Sequence, residues 1–343
     1  MKRETNIKTL LFLLLPLFIV TGCSKWTEPK AIEVGHSTID KQNPELYAEY
    51  LKNLRTYKAT EHKIVLAWFD NLDYDTYSSR GQHLSDIPDS VDIVILKNPR
   101  ELNEQLLKEK ELLLKDKATK TLSFTGYDQI IRSYTSTGEV SDAGLTDYIN
   151  QQTKMSLILT DEYSFDGMIV KYEGKSMEAM EPEELEEYIR TQEAFLEPVK
   201  DWSKSNPDKI LILEGNPSYI YDKSFLSDCN FILISTNTAK SQGEFTTFVR
   251  KTIETGVPTD RFLISAETQT SNPYDLTTGY ISDNSGNKMS AIIGAAYWTV
   301  MPDSWFTKAG IAILELQRDY YSLGKEYHFT REAISIMNPN SQK

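Results

Sequence analysis

The sequence predicts a single (β/α)8 TIM barrel, an α/β fold. Three observations carry that expectation. Short apolar runs rich in Val, Ile and Leu recur along residues 63–316, as strands buried on both faces do. Amphipathic stretches of helical period separate most of them. No Pro/Gly/Ser-rich linker interrupts the chain after residue 60. Eight βα units in one chain of 343 residues suit a barrel. A doubly wound open sheet uses the same alternation and is the competing reading.

A helix comes first. "NPELYAEYLKNLRTYK" offers Asn43 as cap and Pro44 at the first helical position, with Leu46, Tyr47, Tyr50, Leu51 and Leu54 on one face. "KIVLAWF" (63–69) is strand one and "VDIVIL" (91–96) strand two. A helix is expected from Pro99 to about Lys115. "KTLSFTG" (120–126) is strand three, followed by a helix near 143–158. "FDGMIVKYE" (165–173) is strand four. The next helix carries Leu185, Tyr188, Ile189, Leu196, Val199 and Trp202 inward. Strands five, six and seven are "KILILEG" (209–215), "NFILIST" (230–236) and "RFLISAE" (261–267). Between the last two, "EFTTFVRKTIETG" reads as a helix with Gly256 just past its end. "AIIGAAYWTV" (291–300) fits a helix better than a strand, because "KAGIAILEL" (308–316) is the better strand eight. "TREAISIM" (330–337) then closes the barrel.

The N-terminus carries an address. Lys2, Arg3 and Lys8 precede "LLFLLLPLFIV", an apolar run too short and too early for a spanning domain. "VTGC" follows and has the form of a bacterial lipobox. Residues 1–22 therefore read as a lipoprotein signal peptide. Cys23 becomes the lipidated first residue of the mature chain. Residues 23–42 read as a tether, and 43–343 as the single barrel domain. An acylated cysteine anchors the protein, since each buried CH₂ contributes about 0.8 kcal/mol.

The net charge is −13. Residues 1–22 carry about +2, so the mature chain is near −15 (−13 less that +2). Such acidity argues against nucleic acid and against electrostatic attraction to anionic lipid. Contact with a membrane is then expected through the lipid alone. Cys229 lies in the apolar "SDCNFILIS" and reads as an inert buried thiol. His36, His62, His83 and His328 have no metal-ligand spacing. With no Gly-rich phosphate loop either, no cofactor or metal is expected.

Barrels of this kind keep their working residues at the C-terminal ends of the strands. That rule selects Trp68 and Asp70 after strand one, and Tyr127 with Asp128 after strand three. It selects Lys171 and Glu173 on strand four, and Glu214 with Asn216 on strand five. Asn237 follows strand six and Glu267 ends strand seven. Tyr219, Tyr221 and Tyr274 lie in neighbouring loops. Carboxylates and amides can hydrogen-bond sugar hydroxyls, and aromatic faces stack on pyranose rings. As a set these residues suit a carbohydrate cleft. Singly, each could merely cap a helix.

"FDGMIVKYE" resembles the glycoside hydrolase family 18 signature D-G-x-D-x-D-x-E on strand four. Asp166, Gly167 and Glu173 match it. "KAGIAILELQRDY" and "HFTREAISIMNP" resemble the bacterial lipoprotein branch of that family, which contains chitinase-like proteins and endo-β-N-acetylglucosaminidases. The resemblance covers roughly residues 60–340. It implies a (β/α)8 barrel and an N-acetylglucosamine-containing glycan as ligand. It also implies an outer-membrane location, cell-surface display and a partner glycan-uptake complex. Only Glu28 supplies the acidity that surface-exported lipoproteins often carry after the lipidated cysteine.

In the family mechanism, the final Glu protonates the glycosidic oxygen. The substrate's own N-acetyl group attacks the anomeric carbon. The Asp two residues before that Glu orients the acetamide. Here Glu173 holds the acid position, Lys171 holds that of the orienting Asp, and Ile169 that of the Asp before it. Alternation points all three into the barrel. A lysine there opposes the positive charge that develops in the transition state. It also favours ionised Glu173, whereas a general acid must carry a proton.

Two further departures agree. The family's aromatic at the end of strand six is replaced by "STNT" (235–238). The aromatic near the end of strand eight has Leu314 and Glu315 in its place, and Trp298 could supply it only if 291–300 were the strand. The expected function is therefore glycan binding on an impaired or inactive hydrolase scaffold. The alternatives are an active hydrolase with Glu173 as acid, a retaining pair of Glu173 and Glu267, and a purely structural subunit.

Overall fold

The computed structural model describes residues 39–72, 80–136, 142–270, 272, 274–321 and 324–339. The expected signal peptide, Cys23 and most of the expected tether lie outside the described residues. The chain divides into two compact units, Met1–Glu49 and Tyr50–Lys343. In the first, a turn of helix (Ile39–Gln42) precedes the start of α1 (Pro44–Lys58). Asn43 caps α1 as expected: its Oδ1 accepts from Leu46 N at 3.2 Å. In the second unit, α1 buries Leu51 and Leu54, while Tyr50 is exposed.

Eight parallel strands of the second unit close into a barrel. They are β1 (Ile64–Phe69), β2 (Ile93–Leu96), β3 (Lys120–Gly126), β4 (Gly167–Tyr172), β5 (Ile210–Gly215), β6 (Phe231–Ile234), β7 (Phe262–Glu267) and β10 (Lys308–Leu314). The order round the ring is β1-β10-β7-β6-β5-β4-β3-β2. Strand eight is 308–314, as expected, and 291–300 is a helix. The open-sheet alternative is thereby excluded.

The helices are α2 (Glu104–Lys117), α3 (Tyr127–Ser136), α4 (Asp142–Glu162), α5 (Pro182–Ser205), α6 (Phe225–Asp228), α7 (Gln242–Arg250), α8 (Ala291–Val300) and α9 (His328–Met337). A hairpin of β8 (Tyr280–Ser282) and β9 (Lys288–Ser290) precedes α8. Neither α3 nor this hairpin was expected. α3 is only ten residues long, yet Ile130 and Tyr134 put one buried face on it. The hairpin turns around Asp283, whose Oδ1 accepts from Ser285 N and Asn287 N at 2.8 Å. Two helix ends also differ. α2 starts at Glu104 because Asn103 caps it, Oδ1 accepting from Leu106 N at 2.8 Å. α7 stops at Arg250, and Gly256 lies in a later turn at φ 89°.

Period-two alternation builds two cores. Leu66, Trp68, Ile169 and Ile212 face inward with their counterparts on the other strands. Val65, Phe69, Val170 and Tyr172 face the helices. A repeated clasp ties the end where the strands begin. Asp92, Asp166 and Asn230 each stand just before a strand and accept a backbone N–H, from Val65, Thr121 and Leu211 respectively, at 2.8 Å. Asp166, the first residue of the strand-four signature, is thus a structural tie. Gly167 beside it lets β4 and β5 approach. A Cβ there would stand 2.0 Å from the Ile210 carbonyl oxygen.

Candidate functional site

The inward face of each strand continues past the apolar core to the open end. On β1 the series Leu66, Trp68 leads to Asp70. On β4, Ile169 leads to Lys171 and then Glu173. On β5, Ile212 leads to Glu214. The side chains at these ends line a cavity of 520 Å³ that contains Trp68, Asp70, Lys171, Glu214, Glu267, Phe124, Leu314 and Glu315. Trp68 and Phe124 meet edge to face with centroids 5.0 Å apart.

Lys171 is the centre of the charge arrangement. Lys171 and Glu214 are register partners on β4 and β5. The Lys171 Nζ lies 2.5 Å from Glu214 Oε1 and 3.4 Å from Glu173 Oε1. The expected pair with Glu173 is therefore a triad, with Glu214 the nearer partner. Glu214 is 4% exposed. Burial pushes its carboxyl above the usual range, against the pull of Lys171. Burial works to lower Lys171, but the carboxylates of Glu214 and then Glu173 outweigh it and hold the ammonium above its ordinary value. Glu173 lies beside the cavity with a side chain 41% exposed. Ser235 Oγ donates to Glu173 Oε1 at 2.9 Å.

The rim is a second set of ion pairs. Lys97 pairs with Glu315, and Arg318 reaches Glu267 at 3.8 Å. Burial raises the Glu267 carboxyl, with Arg318 opposing. Asn98 Nδ2 donates to Asp70 Oδ1 at 3.0 Å, and Gln317 Nε2 donates to the Asp70 carbonyl at 2.7 Å. Glu315 stands at φ 54°, which turns the chain sharply after Leu314. A second cavity of 330 Å³ adjoins the first. It shares Lys97, Asn98, Phe124 and Gln129, and runs over α3 to Gln152 and Ser156 on α4.

Six of the expected residues, Trp68, Asp70, Asp128, Lys171, Glu214 and Glu267, thus share one cavity, with Glu173 at its side. Asn216, Tyr219, Tyr221 and Tyr274 do not line it, and neither do Tyr127 and Asn237. Tyr127 is the first residue of α3 and packs outward, with ring centroids 5.0 Å from Tyr172 and 5.6 Å from Phe195. It misses the mouth because β3 ends at Gly126 and the chain turns at once into helix. Asn237 is exposed and lines a separate 150 Å³ pocket beside the β8–β9 hairpin. Trp298 is on α8, buried between barrel and helices against Phe306. It therefore floors no sugar subsite.

Sequence reasoning missed Lys97, Asn98 and Phe124. The first two follow strand two, where the strand-end rule was not applied. Phe124 could have been found by counting two residues on from Leu122. Among the described residues, no cluster of three or more His, Cys, Asp or Glu could hold a metal.

Residues 27–336 match the family described as glycoside hydrolase family 18, BT1044-like. No curated protein matches the chain in sequence. Several solved structures share the fold. A selenomethionine form of BT1044, carrying one substitution, has a TM-score of 0.65 at 15% identity, over 88% of this chain and 95% of its own. The apo endo-β-N-acetylglucosaminidase of Cordyceps militaris has a TM-score of 0.57 at 19% identity, over 85% and 96%. A family 18 chitinase from Pseudoalteromonas aurantia has a TM-score of 0.51 at 10% identity, over 79% and 99%.

Proposed function

Because this chain belongs to glycoside hydrolase family 18, in its BT1044-like group, we propose that it binds N-acetylglucosamine-containing glycans at the barrel mouth without efficient hydrolysis. One observation carries the second half of that reading. The ammonium of Lys171 lies 3.4 Å from Glu173, the residue in the acid position. Lysine thus occupies the position where the signature has its orienting Asp. A cation there disfavours a cationic transition state.

The first half rests on the cavity. Trp68 and Phe124 offer apolar ring surface, and Asp70, Asn98 and Glu267 offer polar contacts. The adjoining cavity over α3 gives an oligosaccharide room to continue. Residues 1–23 support a lipoprotein anchored in the outer membrane, where a retained glycan could pass to an uptake complex. That placement is part of the same proposal.

The test pairs binding with turnover. The full chain in mild detergent is titrated with chitooligosaccharides and N-glycopeptides, and the same mixtures are assayed for released sugar. Binding without release is the expected result. Release that disappears in Glu173→Gln would overturn the reading in favour of an active hydrolase.

A further inference from the structure

Apolar side chains crowd one edge of the barrel, at the end where the strands begin. The last turn of α8 and the loop into β10 expose Tyr297, Val300, Met301, Pro302 and Trp305. Tyr297, Val300 and Met301 share a face, at i, i+3 and i+4. Trp305 is 65% exposed, whereas Trp68, Trp202 and Trp298 are all buried. Single exposed apolar residues are ordinary, but these five stand within nine residues of chain and form a patch. A cavity of 430 Å³ opens beside it, lined by Val300, Met301, Pro302, Phe306, Lys63 and Lys308.

Polar contacts brace the segment from beneath. The buried Lys308 Nζ donates to the carbonyls of Trp298 at 2.9 Å and Met301 at 2.8 Å, which fixes the end of α8. Asp303 is the one acid between Tyr297 and Thr307. Its side chain is only 7% exposed, and both oxygens are used. Oδ1 accepts from Trp305 N at 2.9 Å, and Oδ2 accepts from Arg250 Nη2 at 3.2 Å. The Arg250 guanidinium lies over the Trp305 ring, 5.4 Å from its centroid. The loop thus turns its negative charge inward and leaves its apolar side chains outside.

We infer that this edge is where the barrel rests on a lipid surface, with Tyr297, Val300, Met301 and Trp305 seated among the headgroups and the mouth turned away from the bilayer. The inference goes beyond glycan binding and rests on the lipid anchor proposed at Cys23. Two observations select lipid as the occupant. The first is where the anchored chain arrives. From Tyr50 onward α1 lies at this same end of the barrel: Lys58 Nζ donates to the Val91 carbonyl ahead of β2, and Lys63, one residue before β1, lines the cavity. Only 27 residues (50 less 23) separate Cys23 from Tyr50, so the anchor attaches to the barrel from this end. The second is the chemistry of the patch. Trp and Tyr have an apolar body and a polar tip, which suits the headgroup layer. Arg250, with its side chain 48% exposed, can pair with lipid phosphate. Five side chains are too few for a stable protein partner, which uses about 20–30 residues a side.

Brominated lipids test this, because bromine quenches tryptophan emission only at close range. The full chain, acylated in a bacterial host, is placed on vesicles of plain or acyl-brominated phosphatidylcholine. All samples carry Trp26→Phe, since Trp26 lies beside the anchor. Trp305 is then the one exposed tryptophan of the four that remain. Brominated lipid should quench its emission, and Trp305→Phe should abolish that quenching. Val300→Glu combined with Met301→Glu puts two charges on the patch. That chain should stay on the vesicles by its anchor, keep its unfolding midpoint and lose the quenching. Tyr274→Glu, at an exposed position after β7, should keep it. A chain that floats with the vesicles yet shows no quenching overturns the membrane face. So does quenching that survives the paired substitution. So does a Trp305 emission already shifted to the blue without lipid and dependent on protein concentration, which marks a second copy on the patch. A chain that does not float with the vesicles defeats the anchor reading itself, and this inference with it.

Discussion

At the end of the barrel where the strands begin, buried charge is tied to backbone. Asp92 accepts from Val65 N and bonds His62, and Lys58 Nζ donates to the Val91 carbonyl and Thr119 Oγ1 at 2.6 Å each. Lys308 Nζ donates to the carbonyls of Trp298 and Met301. At the opposite end, charge meets charge: Lys171 with Glu214 and Glu173, Lys97 with Glu315, Arg318 with Glu267. Unpartnered side-chain atoms occur at both ends, on Trp68, Glu214 and Gln317 here and on Tyr57 and Asp228 at the other. What differs is the partner of the charged groups: backbone where the strands begin, opposite charge where they end. The same closed sheet can do both because its two ends share no side chains, which is why barrels separate stability from activity so cleanly.

The sharpest break of this contrast is a clasp substitution. Asp92→Ala removes the acceptor for Val65 N and the partner of His62, and should cost about 3 kcal/mol in denaturant unfolding. Glu214→Gln at the mouth should cost less than that, because the amide oxygen can still accept from Lys171 and Glu173 remains as its counter-charge. Equal costs at the two ends would erase the distinction.

Lys58 gives a pH test of the same end. Burial brings its ammonium down from 10.5 to about 8, against the attraction of Asp92 and Asp89. Between about pH 8 and 10.5 the unfolded chain holds more proton at this site than the folded chain. Stability from this site therefore rises with pH across that window. The difference in unfolding free energy between the native chain and Lys58→Met should grow in the native chain's favour from pH 8 to 10. A flat difference would show that Lys58 keeps its proton when folded. The smallest effect is expected at Asn237, which is exposed and outside the main cavity. Asn237→Ala should alter glycan affinity less than about twofold in the same titrations.

Much of this was legible in the sequence. Most of the strands could be read because they are continuous apolar runs, a local property; β3, "KTLSFTG", alternates polar with apolar residues and gives a weaker signal. The inward face could be read because side chains alternate along a strand, so Ile169, Lys171 and Glu173 had to share a wall. Lysine in place of the expected Asp was visible on the same grounds. The helix over 127–136 was not legible, because its ten residues bury only Ile130 and Tyr134 and its apolar signal is brief. Tyr127 was misplaced for that reason.

What the sequence by itself determined was the set of strands, the face each side chain takes, and the charge that Lys171 brings to the wall. What only the tertiary structure decided was who meets whom. Glu214 is 43 residues from Lys171 and became its nearest partner through the register of β4 on β5. Trp68 and Glu214 came to face each other only because the sheet closed. Periodicity acts along one strand, whereas register and closure are set by all eight together, and no local pattern encodes them.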